Sequence, residues 1–177
     1  MSTTSTETIR YARFASPIGE LLLAAKGDRL WKLHMLHGPS DPRASEGLDQ
    51  ARSAFLDDVR GQLDAYFSGR SRGFDLPLAG EGTAFQSRVW AELSKIPYGE
   101  TISYAELARR VGDPNAARAV GGANGRNPIA IVVPCHRVIA ADGRLGGFGG
   151  GGDRKLWLLQ HEAEVSGREV PAAWTSR

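Results

Sequence analysis

The chain has a single cysteine, Cys135, in 177 residues. One thiol cannot close a disulfide within the chain, and it excludes a zinc site built on two thiolates. A disulfide-stapled scaffold is therefore ruled out, and a reducing, cytoplasmic setting is expected. Long apolar runs are also missing: no stretch approaches the roughly 18 residues that a membrane span needs, so no membrane partner is expected. The opening residues Met1–Glu7 are polar and rich in Ser and Thr, with no basic cluster ahead of an apolar core, and a secretory signal is not expected. Histidine is scarce, with four residues. Of these, His34, His37 and His161 have no metal-ligand spacing, so neither a metal nor a cofactor is expected. Internal repeats and heptads are absent, and low complexity is confined to the polar start.

An excess of one charge is lacking as well, since the net charge is only +2. Its distribution is uneven. Residues 1–82 carry 10 basic and 11 acidic side chains, whereas residues 83–177 carry 12 and 9. Most of the excess lies between Thr101 and Lys155, with 8 basic and 4 acidic side chains. Such an excess permits phosphate contact without requiring it.

What is present reads as two halves, residues 1–82 and 83–177. Residues 9–25 suggest two strands around a turn at Ser16-Pro17-Ile18-Gly19, and Leu30–Met35 suggests a third. A loop over Gly38–Glu46 precedes a helix from Leu48 to Phe67, in which Phe55, Val59, Leu63 and Tyr66 recur at helical spacing and Gly69 follows as a stop. The segment Gly73–Gly82 reads as a linker. Thr83-Ala84-Phe85-Gln86 is a capping-box pattern opening a helix that Pro97 closes, and Ser103-Tyr104-Ala105-Glu106 is a second. Asp113-Pro114 suggests the start of a further helix through Ala123. Two short helices joined by a tight turn suit a helix-turn-helix. The later one is almost all small residues around Arg118, although glycines at 121 and 122 each cost about 1 kcal/mol in a helix interior. That smoothness suits either close helix packing or a nucleic-acid backbone.

An apolar segment, Ile129–Val133, reads as a buried strand leading into Pro134-Cys135-His136-Arg137-Val138. A lone cysteine beside such a strand is commonly a small core residue. The adjoining histidine and arginine argue for a thiolate nucleophile instead. Neighbours along a strand point to opposite faces, so a Cys135–water–His136 relay is expected rather than a direct pair. Glu162, on a final helix from about Asp153, is the candidate to orient the imidazole, although the sequence alone leaves several acidic rivals. The loop Gly146–Gly152 has six glycines around Phe148. It lacks the lysine and spacing of a phosphate-binding loop, and it suits backbone approaching a flat ligand.

Pro134–Val138 resembles the active-site signature of the O6-alkylguanine-DNA alkyltransferases, the methylated-DNA–protein-cysteine methyltransferases. The likeness extends through Ile96–Thr101, Ser103-Tyr104, Ala116–Gly121, Asn127-Pro128, the glycine loop and Glu162. The N-terminal half is similar mainly at Ser16–Gly19 and Leu21. The resemblance implies an α/β (α+β) fold: a small ribonuclease-H-like N-terminal domain, then a mostly helical winged helix-turn-helix domain. It implies a monomer that binds double-stranded DNA by the minor groove, with cooperative assembly left open, and that flips out an alkylated base. Cys135 would accept the alkyl group irreversibly, with His136 as base, Glu162 as orienter and Asn127 supporting the turn. Tyr104 would protonate the leaving base; the carbonyls of Cys135 and Val138 and the backbone of Phe148 and Gly149 would contact it. Arg118, with Tyr104 and Ala105, would contact the DNA. Phe148 stands where the family commonly has tyrosine, so any contact of that hydroxyl is lost. Two other readings stand beside this one: a damage-binding relative without transfer, against which the cysteine counts, and a turning-over Cys–His hydrolase, in which Arg118 has no purpose. The tail beyond Glu164, including Trp174, reads as a loose extension.

Overall fold

The computed structural model of the chain describes residues 7–45 and 52–175. Strands β1 (Ile9–Ser16), β2 (Gly19–Lys26) and β3 (Arg29–Met35) form an antiparallel sheet in the order β1-β2-β3. The β1–β2 turn closes at Gly19, whose φ of 105° belongs to the region that favours glycine. Leu21 to Ala25 of the central strand are all buried, as a strand covered on both faces requires. The helix α1 (Ala54–Phe67) packs against β1 and β2. Its expected start at Leu48 lies outside the described residues. Among the described ones the helix begins after Ser53, whose hydroxyl accepts from the Leu56 N–H at 3.3 Å.

The segment after α1 is pinned to the sheet rather than free. Leu30 donates to the Pro77 carbonyl, and Ala79 donates to that of Leu30, both at 2.8 Å. Helix α2 (Ala84–Leu93) then opens with both halves of a capping box, Thr83 and Gln86 bonding each other's backbone N–H groups at 3.1 and 2.9 Å. A two-residue strand β4 (Ile102–Ser103) leads into α3 (Tyr104–Val111), which ends at Gly112 in the left-handed conformation. Only half of the second capping box forms. Ser103 accepts from the Glu106 N–H, but the Glu106 carboxylate turns to Arg109 and Arg110, a stronger charged pairing.

The next helix, α4, spans Ala117–Gly125 and not the expected Asp113–Ala123. Asp113 instead closes a turn, accepting from the Asn115 N–H at 2.9 Å and the Ala116 N–H at 3.0 Å. The helix tolerates Gly121 and Gly122 in its interior because packing holds it: Val120 and Ala123 are buried, and the Trp90 indole donates to the Ala123 carbonyl at 2.9 Å.

The expected strand Ile129–Val133 does not form. Only Ile129 bridges to β3, beside Leu33. The chain then coils on itself, with Val133 donating to the Ile129 carbonyl at 3.0 Å and Ile131 at φ 71°, uncommon for a β-branched residue. Asn127 supplies what a neighbouring strand would have given. Its amide accepts from the Ile129 N–H at 3.1 Å and donates to the Val133 carbonyl at 2.7 Å. A 3-10 turn, Cys135–Arg137, follows, then β5 (Val138–Ile139), which pairs in parallel with β4, and α5 (Gly152–Val165). The tail is not loose: Trp174 is buried, Gln160 donates to its carbonyl at 3.1 Å, and its indole reaches the Gly143 carbonyl at 3.4 Å. An indole contributes enough apolar area to dock a terminus that polar residues alone would not. Buried apolar residues from both halves, from Ala12 to Leu158, form one contiguous core.

Candidate active site and nucleic-acid interface

Cys135 and His136 occupy one 3-10 turn, not an extended strand, so the alternation expected between them does not apply. Val133 anchors that turn. Its carbonyl accepts from the Cys135 N–H at 2.8 Å and from Asn127 at 2.7 Å. Cys135 is 6% exposed and lines a cavity of about 230 Å³. Phe148, Gly149 and Asn127 line the same cavity, and so do His34, Met35 and Arg43 from the first half of the chain.

Behind the turn, Glu162 of α5 collects hydrogen bonds. Its carboxylate accepts from His136 Nε2 at 2.7 Å, Arg137 Nε and Nη2 at 2.9 and 2.8 Å, the Tyr66 hydroxyl at 2.8 Å and the Gly99 N–H at 3.2 Å. Burial opposes its ionisation, but His136 and Arg137 outweigh that and hold the carboxyl well below the usual carboxylate range. An ionised carboxylate only accepts, so His136 Nε2 carries the hydrogen. Burial also lowers the His136 pKa, against the pull of Glu162. The resting ring is therefore neutral, with a bare Nδ1, and that atom is buried with no partner. Burial raises the Cys135 thiol, while Asn127 and Lys155 pull it down.

The other sequence candidates take distinct places. Tyr104 is half-buried where α3 meets α4 and the glycine loop; a Cβ on Gly146 would lie 2.9 Å from its hydroxyl. Burial, and then the charge of Cys135, raise its pKa. Val138 is fully buried. Its carbonyl accepts from Lys155 Nζ at 2.6 Å, and the Cys135 carbonyl accepts from Asn124 Nδ2 at 3.3 Å. The Cys135 carbonyl also accepts from the Val138 N–H, so both of its lone pairs are engaged. Arg118 and Ala105 are exposed and away from the cavity lining; Ala119, Gly122 and Gly125 of α4 are exposed too, and the Arg126 guanidinium would lie 3.7 Å from a Cβ on Gly122. Among the described residues no cluster of His, Cys, Asp and Glu could hold a metal, and no helix is long and apolar enough to cross a membrane.

Sequence reasoning missed Tyr66, Asn124 and Lys155, and it read Arg137 as a neighbour of the thiol where the structure pairs it with Glu162. Lys155 did leave a signal, a charge on the buried stripe of α5 with Leu158, Leu159 and Glu162. Tyr66 left none, because an aromatic in an apolar stripe reads as core.

A buried thiol, a neutral imidazole on the same turn and an ionised carboxylate orienting that ring define a protein of the cysteine-nucleophile class. Residues 9–79 match the ribonuclease-like domain of 6-O-methylguanine DNA methyltransferase, and residues 84–164 match its DNA binding domain. The chain belongs to this family. A methylated-DNA–protein-cysteine methyltransferase of Mycobacterium leprae is 54% identical over 83% of this chain and 88% of its own length. One from Methanosarcina acetivorans is 48% identical over 86% and 97%. The crystal structure of the Mycobacterium tuberculosis O6-methylguanine methyltransferase superposes with a TM-score of 0.80 at 47% identity, covering 95% of this chain and 98% of that one. Mycobacterium tuberculosis OGT in complex with DNA gives 0.78 at 49%, covering 88% and 93%.

Proposed function

We propose that the chain repairs DNA by moving the alkyl group of O6-alkylguanine, and of O4-alkylthymine, onto Cys135, once per molecule. The thiol proton passes through a water to His136 Nδ1. The thiolate attacks the alkyl carbon, a C–S bond forms, and the C–O6 bond breaks with its electron pair left on the base. Tyr104 gives its proton to N3 as that charge builds and is reprotonated through solvent by the His136 imidazolium, so the net change is a proton to the purine and a carbon to sulfur. Glu162 stays ionised throughout and keeps the imidazole in its one productive tautomer. A thioether is not expelled under cellular conditions, so the protein is consumed. The observation that carries this reading is the His136 ring, fixed at Nε2 and bare at Nδ1.

The helices α3 and α4 act as the helix-turn-helix of a DNA-binding half that we bound near residue 83, and α4 enters the minor groove of duplex DNA. Its small residues let the backbone come close, and Arg118 fills the stack that the everted base leaves. The protein works as a monomer in the cytoplasm. Mass spectrometry after incubation with O6-methylguanine DNA tests the proposal: one methyl on the Cys135 peptide supports it, and an unmodified peptide with the lesion intact ends it. Arg118→Ala should slow repair in duplex DNA by roughly 10- to 100-fold, because unstacking costs a few kcal/mol. Reaction with free O6-benzylguanine should change by about twofold at most. Equal losses in the two single-turnover assays would remove the stack-filling role.

A further inference from the structure

One wall of the Cys135 cavity is the glycine loop, through Gly147, Phe148, Gly149 and Gly150. Gly146 and Gly151 have a positive φ, which glycine adopts freely. A Cβ on Gly147 or Gly149 would instead meet nothing within 4 Å among the described residues, and neither residue has a left-handed φ. Within the protein, glycine at those two positions serves neither space nor turn geometry. It leaves the backbone free to move away from the cavity, and a wall of that kind stays in place only where something tethers it.

The tether comes from the first half of the chain. His37 Nε2 lies 3.1 Å from the Gly149 carbonyl, and because a carbonyl only accepts, that nitrogen carries the hydrogen. The imidazole is mounted on fixed backbone. The His37 N–H donates to the Asp41 carboxylate at 3.0 Å; the preceding Leu36 donates to the Glu20 carbonyl at 3.0 Å and accepts from Arg154 Nη2 at 2.6 Å. Beside it, Met35 and Phe148 sit so close to Gly150 that a Cβ there would collide with both. From α5, Lys155 reaches the Gly147 carbonyl only at 3.4 Å. Phe148 packs on the core but has no hydroxyl with which to hold the loop.

We propose that His37 is a positioning residue that sets how bulky a group can reach Cys135. Its hydrogen bond to Gly149 holds the glycine loop against Met35, and without that bond the loop swings outward and the cavity widens. His37 touches no reacting atom and leaves the thiol as it is. The proposal rests on Cys135 being the acceptor, and its test reads the cavity without DNA. Iodoacetamide and its bulkier N-benzyl derivative alkylate the thiolate in the same way, with a C–S bond formed and iodide leaving. Because Cys135 is the only cysteine, the intact mass of the full chain reads that sulfur alone. The ratio of the two rates reports the room around it, since the thiolate fraction cancels.

Rates are measured for the wild type, His37→Ala and His37→Gln. His37→Ala should leave the iodoacetamide rate within about twofold and speed the benzyl reagent about fivefold, the factor that one net hydrogen bond supports. His37→Gln, whose amide N–H serves the same carbonyl, should stay within about twofold of the wild type with both reagents. A general loosening of the fold would speed both reagents alike, and that outcome overturns the proposal. Single-turnover transfer from O6-benzylguanine and O6-methylguanine DNA extends the test: the benzyl-to-methyl ratio of His37→Ala should rise by the same factor. An unmoved ratio in either assay overturns the role of His37. A chain that transfers methyl with its ratios unmoved loses that role alone. A chain that transfers no methyl loses the acceptor reading, and the reagent ratio still decides whether His37 holds the loop.

Discussion

Cys135→Ser abolishes alkyl transfer, with a loss of at least about 10⁴-fold in single-turnover rate, while affinity for duplex DNA stays within about twofold. The substitution is nearly isosteric, and the turn that carries the residue is held by backbone groups and by Asn124 and Asn127, none of which the sulfur supplies. What changes is acidity. Burial raises the thiol, but a serine hydroxyl is a far weaker acid still and is the poorer nucleophile at carbon. Affinity by fluorescence anisotropy and transfer by mass spectrometry are read on the same preparation. Retained transfer would sink the assignment of the acceptor. Lost affinity in proportion to lost transfer would mean that the cysteine supports the DNA-binding surface instead.

The parts of the molecule that could be read from the sequence are those where a local rule and the tertiary environment agree. Thr83 and Gln86 form the capping box that their spacing announces, and the three N-terminal strands form where they are expected, around their turn glycine. The failures have one physical source. Apolar runs report burial and not backbone shape, so Ile129–Val133 passes for a strand although its groups are satisfied by Asn127. Asp113 serves a turn as well as it serves a helix, and only packing against α2 and α3 decides that α4 begins at Ala117. Trp174 docks by burying its indole, an energy invisible in a polar tail. Within the site, His136 and Glu162 could be paired because an imidazole base needs an acceptor behind it. The three further residues that donate to that carboxylate could not be assigned to it, because Tyr66 and Gly99 arrive from distant elements and Arg137 could as well have faced solvent.

That crowding makes Glu162→Gln a severe change. Five donors converge on two carboxylate oxygens. An amide presents N–H groups to some of them and leaves the buried Arg137 without a counter-charge, so a loss of about 3–5 kcal/mol is expected at pH 7. Transfer should fall by about 10²–10⁴-fold, the range of a lost acid–base contribution, because the imidazole loses the acceptor that fixes its tautomer. The pH dependence carries its own sign. The Glu162 carboxyl is depressed in the folded state, so its stabilisation is complete above the unfolded value of about 4.3 and drains away as pH falls below it. The stability gap between wild type and variant, measured by urea unfolding, should therefore be full at pH 7 and narrow in acid. Structure and catalysis separate in the double variant Glu162→Gln, Arg137→Met. Removing the stranded guanidinium should restore part of the stability, since apolar replacements of buried ion pairs are often tolerated, but none of the transfer rate. A double variant that recovers both would reduce Glu162 to a partner of Arg137 and leave His136 without its orienter.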